Sequence, residues 1–212
     1  VTGRSSTAKK ARVVLVVVAA GVVMASVLSA TDAGASSATG QLAGAERIYA
    51  LTLNDGFTLG GSRVGCVVQK KGQLTLVCFR QTAPLSYRPK PRTYVAIVYA
   101  IAVGVELFTG PGSARPVFAR RQPRPSGIPT VASQAVPLVG GVARLRHGKG
   151  AYLRGTHTVC LNVGSHPELV CGEDDARGAV PGSYYVFVDD SGVRVARLRS
   201  GAMSFVFRGV NH

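Results

Sequence analysis

Residues 64–80 read VGCVVQKKGQLTLVCFR, and residues 158–173 read TVCLNVGSHPELVCGE. In both stretches runs of Val, Leu and Thr flank a short polar centre, with a cysteine on either side at nearly the same distance. Such residues suit a pleated, half-buried surface, and a polar centre with Gly suits a turn, so each stretch reads as a β-hairpin. If Cys66 faces Cys78, the hairpin centre falls on Gly72 and leaves Lys71-Gly72-Gln73 as a three-residue loop. If Cys160 faces Cys171, the loop is Ser165-His166, flanked by Gly164 and Pro167. The two stretches accept the same pairing independently.

Working outward, the resemblance between the halves extends well beyond the cysteines. Shifting the second half back by 94 positions brings Leu145 onto Leu51, Gly150 onto Gly56, Leu153 onto Leu59 and Cys160 onto Cys66. At 93, residues 169–171 fall on 76–78. At 90, Tyr184 falls on Tyr94 and Val188, Val193 and Val195 on Val98, Val103 and Val105. At 89, residues 206–207 fall on 117–118. An offset that shrinks in small steps is what deletions in turns leave behind, and it points to duplication of one module. Helix signals are nearly absent. The fold class expected is all-β: two tandem homologous modules of about five strands each, forming either two small sandwiches or one shared sandwich.

The organisation expected is an export segment over 1–35, a flexible stretch over 36–46, module 1 over 47–120, a linker over 121–140 and module 2 over 141–212. Lys9, Lys10 and Arg12 precede an uncharged run over 13–28, and Ala33-Gly34-Ala35 supplies small residues for cleavage before Ser36. Left uncleaved, the same run would anchor the chain with the rest facing outside; that segment is the only membrane contact expected. No cysteine near the cleavage region suggests a lipoprotein, and no Arg-Arg pair precedes the run. The linker is marked by Pro123, Pro125, Pro129 and Pro137, without helical or alternating periodicity, and reads as extended and semi-stiff.

An even number of cysteines in an exported chain implies disulfides, and duplication selects Cys66–Cys78 and Cys160–Cys171 over the cross-module pairings. Their spacings match neither the C-x-x-C redox pattern nor common zinc knuckles. No catalytic residue is assigned: there is no G-x-S-x-G elbow, no H-E-x-x-H and no glycine-rich phosphate loop. Of the histidines, His157 is placed to face solvent on a strand near Cys160, His147 has no assigned role, His166 falls in a hairpin loop and His212 ends the chain. Glu173-Asp174-Asp175 and Asp189-Asp190 are the acidic clusters. They read as turn residues rather than Ca²⁺ ligands, because their spacing fits no known loop. No metal or cofactor is expected.

Lys plus Arg number 25 against 10 for Asp plus Glu, and 21 cations and 9 acids lie beyond residue 35. Such a surface favours an anionic partner, either an envelope polymer or a protein. The charges selected are Arg88, Lys90, Arg92, Arg115, Arg120, Arg121 and Arg124. A nucleic-acid role needs exposed ring platforms beside the charge, and a chain without Trp and with few rings argues against it. The uncharged run over 94–105 makes Tyr99 and Ile101 the apolar contact candidates at a hairpin tip. The reading is of a secreted, non-enzymatic binding or structural module. A small disulfide-bonded protease inhibitor and a hydrolase without a recognisable motif are the alternatives. The sequence does not define the oligomeric state.

Overall fold

Short runs of Val, Tyr, Phe, Leu and Thr, broken by Gly, Pro, Asn and Asp, produce a nearly all-strand chain. The computed structural model describes residues 45–81, 89–163, 165–175 and 178–211. Its strands are β1 Arg47–Leu51, β2 Gly56–Leu59, β3 Val64–Lys71, β4 Gln73–Arg80, β5 Thr93–Tyr99, β6 Ala102–Gly110 and β7 Ser113–Arg121. Next in the chain are β8 Ala135–Pro137, β9 Val142–Leu145, β10 Lys149–Leu153, β11 Thr158–Val163, β12 Glu168–Asp175 and β13 Gly178–Ala179. The last three are β14 Tyr184–Asp189, β15 Gly192–Arg199 and β16 Ala202–Val210.

These strands form two sheets. One runs β7-β6-β5-β4-β3-β2-β9, the other β16-β15-β14-β12-β11-β10-β1-β8, with β13 paired to β12. Written by repeat position, the two orders are the same apart from β8 and β13, and among the described residues the first copy contributes seven strands and the second eight, where about five were expected. The first strand of each copy, however, sits in the other copy's sheet. β1 lies parallel to β10, with Leu51 opposite Leu153, and β9 lies parallel to β2, with Leu145 opposite Leu59. The chain crosses between sheets through residues 52–55 in the first copy and 146–148 in the second. Nothing in the hydrophobic pattern marks this exchange, because a strand is equally apolar in either sheet.

Strand alternation then fills one core from both copies. Leu51, Phe57, Leu59, Val64, Leu76, Val98, Val105, Leu145, Leu153, Leu169, Val186 and Val195 are all buried in a single cluster, together with the four cysteines. The shared sandwich, one of the two architectures expected, is the one that forms. Cys66 pairs with Cys78 and Cys160 with Cys171. Each pair is in direct register across its hairpin, with Cα atoms 4.1 and 4.0 Å apart. Gly72 occupies the first hairpin centre at φ +77°, a left-handed conformation open to glycine at little cost.

Two other features differ from the expectation. The proline-rich stretch is not wholly extended: residues Thr130–Ser133 form a 3-10 turn, and β8 lies beyond it on the edge of β1. The turn lays Val131 on Ile48, Tyr152, Val159 and Leu161, covering that part of the outer face. The chain then passes to the other sheet's edge through Gly140 and Gly141, both at positive φ. The export segment and Arg88 lie outside the described residues.

The sandwich has two dissimilar ends. The upper end carries the 52–55 crossover, the Gly72 tip and the 100–101 turn. The lower end carries the 146–148 crossover, the 60–63 turn and the Asp189–Gly192 turn.

Candidate interface along strand β7

Among the described residues β7 ends its sheet, with β6 on one side and no strand on the other. Phe118 turns inward and meets Phe207 and Tyr184 at ring-centroid distances of 5.6 and 6.2 Å, while Tyr94 meets Phe207 at 6.0 Å. Phe118 and Phe207 are repeat partners, as are Tyr94 and Tyr184. The four rings close the seam between the two edge strands.

Just past each edge strand an amide reaches across this seam. The Gln122 Oε1 accepts from the Tyr184 N–H at 2.8 Å and its Nε2 donates to the Tyr184 carbonyl at 2.8 Å. Asn211, its repeat partner, accepts from the Tyr94 N–H at 2.9 Å. No sequence motif singles out either residue. Continuing the 89-residue offset past Phe118 and Phe207 leads to both.

Beyond the seam, β7 carries charges on both of its faces, since Arg120 shares the face of Phe118 and Arg121 takes the other. Arg115, opposite Leu107, Arg120, opposite Val103, and Arg121, opposite Ala102, are exposed, and Arg124 is exposed just beyond Gln122. The Arg120 guanidinium lies 5.3 Å from the Phe118 ring centroid and donates to the Ala119 carbonyl at 2.8 Å, which fixes its direction. At the other end of the strand, Lys90 and Arg92 are exposed in the turn leading to β5, and the Arg92 N–H donates to the Phe108 carbonyl at 2.6 Å. Five residues of strand separate Arg115 from Arg120, a span of about 17 Å. Arg115, Arg120, Arg121 and Arg124 thus lie on or just past the edge strand, Lys90 and Arg92 lie two strands in at the end of the sheet nearer Arg115, and Arg88 lies outside the described residues.

Among the described residues, ion pairs involve only Arg194, with Glu168 and with Asp189 at 3.5 Å. Among the described residues the β7 cations have no carboxylate at ion-pair distance. The equivalent edge, β16, carries Arg208 alone beside exposed Phe205, Val206 and Val210. Charges on an edge strand hinder strand pairing between molecules. β16 goes largely without that protection, so protection alone does not explain the number on β7.

The other candidates are distributed differently. Asp189 makes its turn, accepting from the Ser191 and Gly192 N–H groups at 2.7 and 3.0 Å. Asp190 ties the sheets together by accepting from the Arg63 N–H at 2.9 Å and the Ser62 hydroxyl at 3.2 Å. Glu173 and Asp174 lie at the opposite end of β12 from these, since Leu169 is the residue paired with Val188. Among the described residues no three His, Cys, Asp or Glu side chains gather as a metal site. The His157 Nδ1 meets the Asp174 carbonyl at 3.0 Å rather than a carboxylate or hydroxyl. His147 and His166 are exposed, and His212 lies outside the described residues.

Glu173, which the sequence presents as a turn residue, has a different setting. It is wholly buried on the strand face directed to the core, and neither carboxyl oxygen has a hydrogen-bond partner among the described residues. Opposite it in register is Thr158, whose hydroxyl is also buried without a partner. Burial raises the Glu173 carboxyl from 4.5 to about 8, so the neutral acid is the form the fold favours at pH 7.

At the 100–101 turn, Ile101 is 55% exposed. Tyr99 is half-buried against Val77, Phe79, Val95 and Ile97. Burial, and after it the Glu106 carboxylate, pushes its phenol above the usual 10.0. The two apolar candidates therefore divide, with Tyr99 packing and Ile101 projecting.

Comparison of the chain with protein-family models, curated proteins and solved structures finds no match. Both disulfides suit an oxidising compartment. Among the described residues no helix is long and apolar enough to cross a membrane.

Proposed function

We propose that this chain is an exported, non-enzymatic module that binds an anionic envelope polymer or acidic protein surface along β7. The observation that carries the reading is the set of exposed cations, Arg115, Arg120, Arg121 and Arg124 along the edge strand with Lys90 and Arg92 at the adjoining end of the sheet, none of them ion-paired among the described residues. Anions spaced along a polymer meet several of these charges at once without any rearrangement of the strand. Because the charges are solvated, the attraction is screened within about 8–10 Å at physiological salt, and binding weakens steeply as salt is added. The two disulfides support the exported setting.

The test is retention of the full chain on purified bacterial cell walls and on immobilised polyphosphate, across a salt series. Retention is expected to fall as salt rises and to drop at least about tenfold when Arg115, Arg120, Arg121 and Arg124 all become Ser, since each contact contributes a few tenths to one kcal/mol. Salt-independent retention, or no change in the quadruple variant, overturns the reading.

A further inference from the structure

The duplication makes a difference between the two ends of the sandwich visible. At the upper end, Leu53 is 43% exposed, Ile101 55% and Val139 90%, with Val142 beside them. The lower-end counterparts of Leu53 and Ile101 are His147 and Ser191. Exposed cations occur at both ends, but their setting differs. At the lower end Glu46, Glu168, Asp189 and Asp190 lie among exposed Arg63, Lys90, Arg92 and Arg146, whereas at the upper end the exposed charges include Lys70, Arg121, Arg124, Arg154 and Arg199. The upper carboxylates are withdrawn from solvent or engaged. Glu173 and Asp174 are wholly buried, and Asp55 accepts from the Thr52 N–H and hydroxyl at 2.6 and 2.8 Å. The side chain of Asp175 lies outside the described residues.

Backbone hydrogen bonds hold these apolar residues on fixed loops. The Gly56 N–H donates to the Gly141 carbonyl at 2.8 Å, which sets the Leu53 loop beside the Val139 loop. The Gln122 N–H donates to the Ile101 carbonyl at 2.9 Å, which sets Ile101 beside Arg121. The β3–β4 tip, with Lys70, rises between them. A soluble polyanion would satisfy the cations and leave Leu53, Ile101 and Val139 in water. A surface that is anionic outside and apolar a few ångströms in satisfies both.

We infer that the upper end docks on an anionic lipid bilayer. Leu53, Ile101 and Val139 enter the boundary between headgroups and acyl chains, while Lys70, Arg121, Arg124, Arg154 and Arg199 meet lipid phosphates. The inference rests on the proposed function only for Arg121 and Arg124. Its apolar residues and its other cations lie outside the β7 interface.

The chain has no tryptophan, so a single introduced one reports its own surroundings. Val139→Trp, Ile101→Trp and, at the lower end, His147→Trp would be made separately in the full chain. Each is mixed with vesicles of phosphatidylcholine, with or without phosphatidylglycerol, carrying brominated acyl chains. Blue-shifted emission and bromine quenching are expected for Trp at 139 and 101, only with phosphatidylglycerol, and not at 147. Adding Leu53→Ser and Val139→Ser to the Ile101→Trp chain should weaken partitioning by at least about tenfold, with retention on polyphosphate unchanged.

The N-terminal apolar run can bring the chain to a vesicle by itself, so the local signal decides. A water-exposed spectrum at 139 in vesicle-bound protein overturns the inference, as does equal quenching at 147 or insertion that ignores phosphatidylglycerol. A blue shift on adding another protein, without bromine quenching, assigns this end to that protein and also overturns it. Loss of polyphosphate retention when only Arg115 and Arg120 become Ser, with lipid insertion intact, supports the inference independently of the β7 reading.

Discussion

A carboxyl group that is wholly buried, with no hydrogen-bond partner among the described residues, makes stability depend on pH in a defined direction. Glu173 titrates at about 8 in the fold and near 4.5 when unfolded. The folded state therefore holds its proton more tightly. Its contribution is most favourable below about pH 4.5, declines by about 1.4 kcal/mol per pH unit up to about 8, and is level above that. Glu173→Gln should remove this slope, raising the urea midpoint at pH 9 while leaving it nearly unchanged at pH 4. A midpoint equally displaced at both values would place the effect in packing instead. The seam amides form a second comparison between single residues. Gln122→Ala leaves both backbone groups of Tyr184 without the bonds they had, whereas Asn211→Ala strands one N–H of Tyr94. The first should cost about 1–3 kcal/mol and the second about half as much, measured by equilibrium denaturation.

Hairpins carry what was legible in the sequence. Cys66 and Cys78 on either side of Gly72, and Cys160 and Cys171 on either side of Ser165-His166, located β3–β4 and β11–β12 and their registers, because cross-strand pairing leaves a mirror symmetry in the residues. Replacing Cys66 and Cys78 together by Ala should lower stability by about 2–4 kcal/mol, read from denaturant midpoints under oxidising conditions. The Asp-rich turn at 189–192 was equally plain. β1 and β9 were not, since a short apolar run has the same pattern whichever sheet receives it. Of the interface, the identity of the cations was readable, but their shared sheet was not: Lys90 and Arg92 precede β5 while Arg115 to Arg121 belong to β7, and only the β5–β6–β7 register joins them. Glu173 was hidden because its neighbours Asp174 and Asp175 make the triplet look like a solvated turn.

Across the whole molecule, the exchange of first strands ties the two copies into one core, with Leu51 and Leu145 each completing the other copy's sheet. Thermal unfolding should accordingly be a single transition with matching calorimetric and van't Hoff enthalpies, whereas two independent halves would give two transitions or a ratio well above one. The same interleaving decides how the molecule responds to a break in its chain. A protease that nicks the exposed residues at 126–128 severs the covalent link between the copies but not the strands that each has lodged in its neighbour. The two pieces should travel together through gel filtration and part only in denaturant, so a cut here would leave the protein standing.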